Sequence, residues 1–387
     1  MKFPRVPLSR SLNQNMSREN LPGLYVHIPF CLSKCPYCDF YSETTTSMVS
    51  AWLASLEKEM LLYKESCNTF DTLYIGGGTP TVLEEPLLHN LFDHLYHHFH
   101  FTGDAEITVE ANPGDVTGEK LTTLKTCGVN RISLGVQSFD DKDLTFLKRR
   151  HTAQEAMNAL DLIRSPGFSR LGIDLIYGIP GQTLNQWLRT LEQALLFHPE
   201  HISCYQLTPA EGTELWEMLE RGEVKLPDES EGEAFFVATA EYLEDHRYLH
   251  YEISNFACGE GNRSRHNQKY WQHTPYLGLG PSAHSFRDGK RWWNVGSVEQ
   301  YCRMLKEGRV PVSGQEQLTP EQRELESLYL GLRTSGGVTL SRLTANGKGD
   351  ALLTELLQAD YVRVIGQRIV PTRKGYLVAD RLPLAFS

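Results

Sequence analysis

Three of the eight cysteines fall within eight residues, Cys31-Leu-Ser-Lys-Cys35-Pro-Tyr-Cys38, and five stand singly at 67, 127, 204, 258 and 302. Thiolates spaced four and three residues apart can wrap one compact centre from a single loop, as iron–sulfur clusters require. A structural zinc ion wants a fourth protein ligand, and no second Cys-x-x-Cys occurs in the chain. Cys31, Cys35 and Cys38 without an evident fourth partner fit a 4Fe-4S cluster with one open iron. Two alternatives stand beside it: zinc completed by His27 or a distant residue, and a redox-active Cys35/Cys38 pair. A secreted disulfide framework would spread paired cysteines through a short chain. The pattern instead implies a reducing, cytoplasmic setting, with the five scattered cysteines as small core residues.

Histidines offer a second set of candidates. His266-Asn-Gln-Lys-Tyr270-Trp271 sets an imidazole, a common metal ligand, beside flat apolar rings. The other reading is a hydrogen-bonded histidine that shapes a pocket mouth. His94, His97, His98 and His100 crowd a helix end, where i, i+3, i+4 spacing could chelate a metal. A solvated face near a helix C-terminus, which favours positive charge, is preferred. His284 follows the glycine-rich turn at Gly280 and is either structural or near the site mouth. No Cys-x-x-Cys-His occurs, so covalent c-type heme attachment finds no support.

These residues need elements to position them. From residue 24 to about 207, β-branched runs alternate with helical patterning. The runs are Leu24–Ile28, Thr72–Ile75, Glu106–Glu110, Arg131–Gly135, Gly172–Tyr177 and His201–Leu207. Between the first two, Val49 to Tyr63 places Trp52, Leu53, Leu56, Met60 and Leu61 at helical spacing. Such alternation implies βαβ units and a parallel sheet. The expected fold is α/β, a partial (β/α)6 barrel over residues 21–245, which carries its chemistry on the loops after the strands. Polar, small and turn-forming residues do follow the runs. They include Gly76-Gly77-Gly78-Thr79-Pro80, Glu110-Ala-Asn-Pro-Gly114 and Gly135-Val-Gln137-Ser-Phe139, with Asp174 in the fifth run. An aromatic-rich segment is expected over 246–305 and a winged-helix-like α+β module over 306–387. In that module helices are expected over Glu321–Leu332 and Gly349–Ala359, a hairpin over Tyr361–Ile365 and Arg368–Pro371, and a last helix from Arg373 to Leu382.

Composition narrows the function classes. The 387 residues are 40% hydrophobic and 22% charged, ordinary for a globular chain. Lys plus Arg is 38 against 48 Asp plus Glu, a net charge of -10, which argues against broad binding to a phosphate backbone. Residues 321–387 hold nine Lys/Arg against seven Asp/Glu and form no basic stripe, so packing or partner docking is expected there rather than nucleic acid. No stretch approaches the roughly 18 apolar residues of a membrane span. Residues 1–20 carry Lys2, Arg5, Arg10 and Arg18 without an apolar core, so they are not a secretory signal. They are read as a flexible extension; a transit peptide or a true start at Met16 are the alternatives.

Cys-x3-Cys-x2-Cys with an aromatic before the last cysteine, followed by Gly-Gly-Gly-Thr-Pro, resembles the radical S-adenosylmethionine (SAM) superfamily. The text Leu24-Tyr-Val-His-Ile-Pro-Phe-Cys31, together with the Glu110, Gly135 and Asp174-Leu-Ile-Tyr-Gly-Ile-Pro180 motifs, is similar to its anaerobic coproporphyrinogen dehydrogenase branch. The resemblance runs from about residue 22 to the C-terminus. It implies that the open iron chelates the amino and carboxylate groups of SAM, with Gly77, Gly78 and Thr79 near the methionine moiety. It further implies Glu110 and Arg149 as charged partners of SAM, Gln137 and Asp174 on the ribose, Tyr25 near the cluster, and the backbone around Tyr37. True dehydrogenases continue to a fourth cysteine, which here is Phe40. Cys-x-Phe and His-Asn-x-x-Tyr-Trp instead resemble the HemW subgroup, read as heme chaperones, with His266 as proposed heme ligand. The cofactors implied are a 4Fe-4S cluster, SAM and heme. The partners implied are heme-accepting proteins, respiratory enzymes among them. The alternative is an oxygen-independent coproporphyrinogen III dehydrogenase-like enzyme of porphyrin biosynthesis, which the absent thiol disfavours.

Overall fold

In a computed structural model, residues 21–165, 168–344 and 349–382 are described; the expected extension at 1–20 lies outside them. Six strands run in parallel and in chain order: β1 (Gly23–Ile28), β2 (Thr69–Gly77), β3 (His100–Ala111), β4 (Arg131–Gln137), β5 (Arg170–Tyr177) and β6 (His201–Gln206). The crossovers carry α1 (Val49–Tyr63), α2 (Glu85–His98), α3 (Gly118–Thr126), α4 (Asp141–Phe146), α5 (Ala153–Arg164) and α6 (Leu184–Leu195). Helix starts follow local chemistry. Thr152 and Thr183 each close a capping box, with Glu155 and Gln186 respectively, satisfying amides that a helix start leaves orphaned. Trp52, Leu53, Leu56 and Met60 of α1 are buried at the expected spacing, and apolar residues of β1 to β6 join them in one core.

β1 and β6 do not pair, so the barrel is partial, and both of its edges are extended. After α7 (Glu214–Glu220) and α8 (Glu229–Asp245) come β7 (Leu249–Glu252) and β8 (Asn255–Ala257), and β8 pairs antiparallel with β6. After α9 (Arg265–Trp271), β9 (Tyr276–Leu279) pairs parallel with β1, making a seventh parallel strand where alternation had suggested six. β10 (His284–Arg287), β11 (Lys290–Asn294) and β12 (Val312–Gln317), with α10 (Val298–Lys306) between the last two, continue that edge into a twelve-stranded sheet.

The C-terminal residues fold around a small core of their own, centred on Leu328, Leu332, Val338, Leu356 and Ile369. They comprise α11 (Pro320–Gly331), β13 (Val338–Thr339), α12 (Leu340–Thr344), α13 (Gly349–Gln358), β14 (Val362–Ile365), β15 (Arg368–Pro371) and α14 (Arg373–Leu377). The last helix is shorter than expected. Thr372 caps its start, but Val378 leaves helical geometry at φ -120°, and turns rather than helix carry Leu382 into the core.

Of the five scattered cysteines, four are buried as expected, whereas Cys258 is exposed; all eight are free thiols. No helix among the described residues is long and apolar enough to cross a membrane.

Candidate functional site

In a parallel strand every second side chain faces inward, and register sets which of them meet. Tyr25, Tyr74, Thr108 and Arg131 align as one row across β1 to β4. Two layers nearer the strands' C-terminal ends, Gly135, Asp174 and Ser203 align across β4 to β6. Hydroxyls, a guanidinium and a carboxylate thus occupy positions where a closed barrel packs aliphatic layers. The result is a cavity of about 460 Å³, lined by all of these residues except Tyr25, rather than a filled core.

The cysteine loop crosses one end of this cavity. Its N-terminal limb is pinned by Cys31 N–H donating to Glu43 O at 3.0 Å, and its turn by Cys38 N–H donating to Cys35 O at 3.2 Å. Leu215 N–H donates to Pro36 O at 2.8 Å, and Tyr37 packs against the small apolar cluster of Leu147, Ile176, Ile179, Leu207 and Leu215. Cys31 Sγ lies 3.4 Å from Thr79 Oγ1, and Arg149 Nη1 donates to Cys35 Sγ at 3.4 Å. Burial, with the neighbouring Cys35 and Cys31 thiolates, pushes the Cys38 thiol up to about 11. A cation bound among the three would reverse that penalty.

A mononuclear ion would need the three thiols drawn closer together. Zinc at about 2.3 Å from each sulfur would hold the sulfurs within about 4 Å of one another. Among the described residues, the three cysteines are not a set with donor atoms that close. His27, the candidate fourth zinc ligand, is also committed elsewhere. Its Nε2 is 2.8 Å from Tyr41 O and its Nδ1 is 3.0 Å from the Tyr25 hydroxyl, and burial holds its pKa near 4. Three separated thiols on one loop, with no fourth protein ligand grouped with them among the described residues, suit a cluster.

Around the cavity stand Tyr37, Gly77, Gly78, Thr79, Glu110, Gln137, Arg149 and Asp174, each of the last six at or near the C-terminal end of its strand or on the loop beyond. The glycines answer to the protein behind them. A Cβ on Gly78 would lie 2.6 Å from Phe30 O, and one on Gly77, at φ +108°, 2.5 Å from the His27 ring. That close approach lets Gly78 N–H donate to Ile28 O and Thr79 N–H to Phe30 O, which fixes the loop against the cysteine segment.

Glu110 accepts from the Tyr74 hydroxyl at 2.7 Å and from Gly77 N–H at 3.1 Å, and burial raises its pKa to about 7. Asp174, also raised by burial, accepts from Ser133 Oγ at 2.8 Å. Arg149 spans the loop and β4 through Nη2 to Gly135 O at 2.7 Å, while its Nε is buried without a partner. Thr108 Oγ1 in the same wall is likewise unsatisfied. Orphaned donors on residues that line a cavity are groups a polar ligand could satisfy after a small side-chain shift. Gln137 sits at φ +70°, a conformation costly for a residue with a Cβ and one that clusters at ligand sites.

Tyr25 and His266 are not on this wall. They line an adjoining cavity of about 250 Å³ with Phe40, Tyr74, Gly77, Glu110, Asn267 and Tyr270. His266 is buried; its Nδ1 is 2.9 Å from Thr72 Oγ1 and its Nε2 is 2.8 Å from the Tyr270 hydroxyl. Burial, aided by the Lys269 charge, lowers its pKa to about 3, so the ring is neutral. Phe40 lines both cavities and is 63% exposed. His284 is exposed at the start of β10, stacked beside Trp293 and off both walls.

Some wall residues escape sequence reasoning. Lys148 and Arg150 flank Arg149 and line the cavity with it, paired to Glu214 and Asp115; the Lys-Arg-Arg run was the available signal. Arg131 lines it as well, 3.5 Å from buried Glu106, and nothing local in the sequence marks that pair.

Residues 25–194 match the Radical SAM superfamily. The heme chaperone HemW of Bacillus subtilis is 34% identical over 376 residues, covering 95% of this chain and 99% of the relative. That of Mycobacterium tuberculosis is 35% identical over 366 residues, covering 92% and 93%. Among solved structures, coproporphyrinogen III oxidase (HemN) from Escherichia coli, a radical SAM enzyme, superposes with a TM-score of 0.82 at 25% identity, covering 95% of this chain and 90% of that one. With relatives at this identity over nearly their full length, the chain belongs to the HemW heme chaperone family within the radical SAM superfamily.

Proposed function

We propose that this protein binds heme and passes it to acceptor proteins, with a 4Fe-4S cluster and SAM held at the barrel mouth. The observation that carries this reading is Phe40. Where dehydrogenases of the branch place a fourth thiol, an exposed apolar ring stands between two cavities. A phenyl face offers a porphyrin a stacking surface and offers no sulfur chemistry.

Cys31, Cys35 and Cys38 hold the cluster in this reading, and Thr79 and Arg149, each in contact with one of these sulfurs, orient the thiolates. The cluster and SAM together supply one-electron chemistry when bound, and the protein supplies orientation and exclusion of water. Glu110 carries the negative charge for the SAM ammonium, and Arg149 the positive charge for its carboxylate. Gln137 and Asp174 reach the ribose hydroxyls, and the backbone of Gly77, Gly78, Thr79 and the Tyr37 turn flanks the ligand. His266 is the proposed iron ligand through Nε2, which the Tyr270 hydroxyl must first release; Tyr25 and Tyr74 pack beside its ring. Lys34, Lys148 and Arg150 at the rim suit the propionates. The acceptors are proposed to include respiratory enzymes and the setting to be the cytoplasm.

Anaerobic assay of the reconstituted protein separates this reading from the dehydrogenase. With heme, a stoichiometric Soret band is expected; with SAM and coproporphyrinogen, no decarboxylation. Turnover of coproporphyrinogen would overturn the chaperone reading, as would absence of any Soret band. Unchanged heme binding in His266→Ala would remove that residue as the ligand.

A further inference from the structure

The helices on the outside of the barrel bring together three donors that the cluster site does not use. His94 and His98 are four residues apart on α2, and therefore on one face, beside the buried stripe of Leu88, Leu91 and Leu95. That stripe packs α2 beside α1, which contributes Glu57. His94 Nδ1 is 3.3 Å and His98 Nε2 is 3.7 Å from the same oxygen, Glu57 Oε1, and all three donor atoms lie within 4.8 Å of one another.

We propose that Glu57, His94 and His98 form a binding site for a divalent transition-metal ion of the zinc class, separate from the cysteine loop.

Geometry and chemistry agree on the ligand. Zinc takes imidazole nitrogen and carboxylate oxygen at about 2.0–2.1 Å in a tetrahedron, which sets neighbouring donors about 3.3 Å apart. The His94–Glu57 separation matches that edge, and the others need sub-ångström to roughly 1.5 Å of side-chain adjustment. Two imidazoles and one carboxylate select zinc, nickel or copper over magnesium and calcium, which want all-oxygen shells.

A second observation is independent of the spacing. His98 has a side chain only 6% exposed, and its Nε2 is buried with no hydrogen-bond partner among the described residues. At 3.7 Å the Glu57 carboxylate is beyond hydrogen-bonding reach, so the nitrogen is desolvated and unsatisfied, yet aimed at an anion. Coordination would satisfy it. Access is open, since Glu57 is 40% and His94 23% exposed, leaving a side for water as fourth ligand. His98 ends α2 just before β3 begins, so the site lies toward the strands' N-terminal ends, at the opposite rim from the cysteine loop. An ion here would clamp α1 to α2 without touching the cavity.

The test uses the full chain with its cluster reconstituted anaerobically, so that Cys31, Cys35 and Cys38 are occupied by iron, dialysed against micromolar zinc chloride with excess magnesium. One zinc per chain is expected in addition to unchanged cluster iron. His98→Gln and Glu57→Gln should each weaken zinc binding at least about tenfold, and His94→Gln/His98→Gln should abolish it, all with wild-type iron content and circular dichroism. Zinc should also raise the thermal midpoint of the wild type and not of the double variant. The proposal fails if no zinc is retained, or if the double variant retains it. It equally fails if uptake disappears in Cys258→Ser, the exposed thiol, or is matched by loss of cluster iron.

Discussion

Glu110→Gln should make the unliganded protein more stable while impairing its binding of SAM. Glu110 is half-buried, with its side chain on the wall of both cavities, and desolvation raises its pKa from 4.5 to about 7, with the Asp174 charge adding to the rise. The raised value means that the folded protein binds this proton more tightly than the unfolded chain does. Below pH 4.5 the group is protonated in both states and contributes nothing adverse. As pH rises from 4.5 to about 7 the unfolded chain ionises first, so stability falls, and above 7 the full cost is present. At about 1.4 kcal/mol per pH unit, that cost is of order 3 kcal/mol. Glutamine fits the same contacts: its carbonyl can accept from Gly77 N–H, and its amide can donate to the Tyr74 hydroxyl. Urea denaturation should therefore show Glu110→Gln more stable than wild type by up to about 3 kcal/mol at pH 8, with the difference shrinking toward pH 5. Buried Glu59, also raised by burial to about 7, titrates in the same window but is common to both proteins and cancels. If ionised Glu110 pairs with the SAM ammonium, wild-type affinity should drop roughly eightfold from pH 7.5 to pH 6, following the ionised fraction. Glu110→Gln should lose at least about tenfold in affinity and show no such slope. Equal SAM affinity in the two proteins at pH 7.5, or a stability difference independent of pH, would refute the reasoning.

Other substitutions probe the supports of the site. Gly78→Ala places a methyl 2.6 Å from Phe30 O and 2.8 Å from Ile28 O; because both neighbours are backbone, it should cost about 1–3 kcal/mol, read as a lower urea midpoint. Arg131→Met leaves Glu106, wholly buried, with the His266 N–H at 3.1 Å and, as its remaining cation, Arg170 at 3.9 Å; a loss of about 3–5 kcal/mol is expected, and a change below 1 kcal/mol would show that Arg131 is not its main counter-charge. Cys38→Ser should reduce cluster iron from about four per chain toward zero without unfolding the barrel, measured by iron and sulfide analysis beside circular dichroism.

The parts of this architecture that a local pattern encodes could be read before any coordinates. Val49–Tyr63 has helical periodicity and folds as that helix; the six β-branched runs become six parallel strands, and the loop of Cys31, Cys35 and Cys38 announces itself by spacing. What escaped is what distant pairing decides. Tyr276–Leu279 is four residues long, too short to show a period, and becomes a strand because the edge of β1 is available to it. The resemblance places Gly77 and Gly78 near the methionine moiety of SAM, but no local pattern shows that His27 and Phe30 behind them also exclude a Cβ. His266 was legible as a histidine among aromatics, but not the hydroxyls of Thr72 and Tyr270 that occupy both its nitrogens. Glu57 joins His94 and His98 only through the packing of two helices, and no single-sequence period carries that information.

The central claim is that the chain delivers heme. Its most direct test loads the cluster-reconstituted protein with one equivalent of heme and mixes it anaerobically with membranes holding a heme-depleted respiratory oxidase, using free heme at equal concentration as reference. The account predicts that the Soret band leaves the chain and oxidase activity returns faster than with free heme. Recovery no faster than free heme, with the Soret band still on the chain, would contradict it.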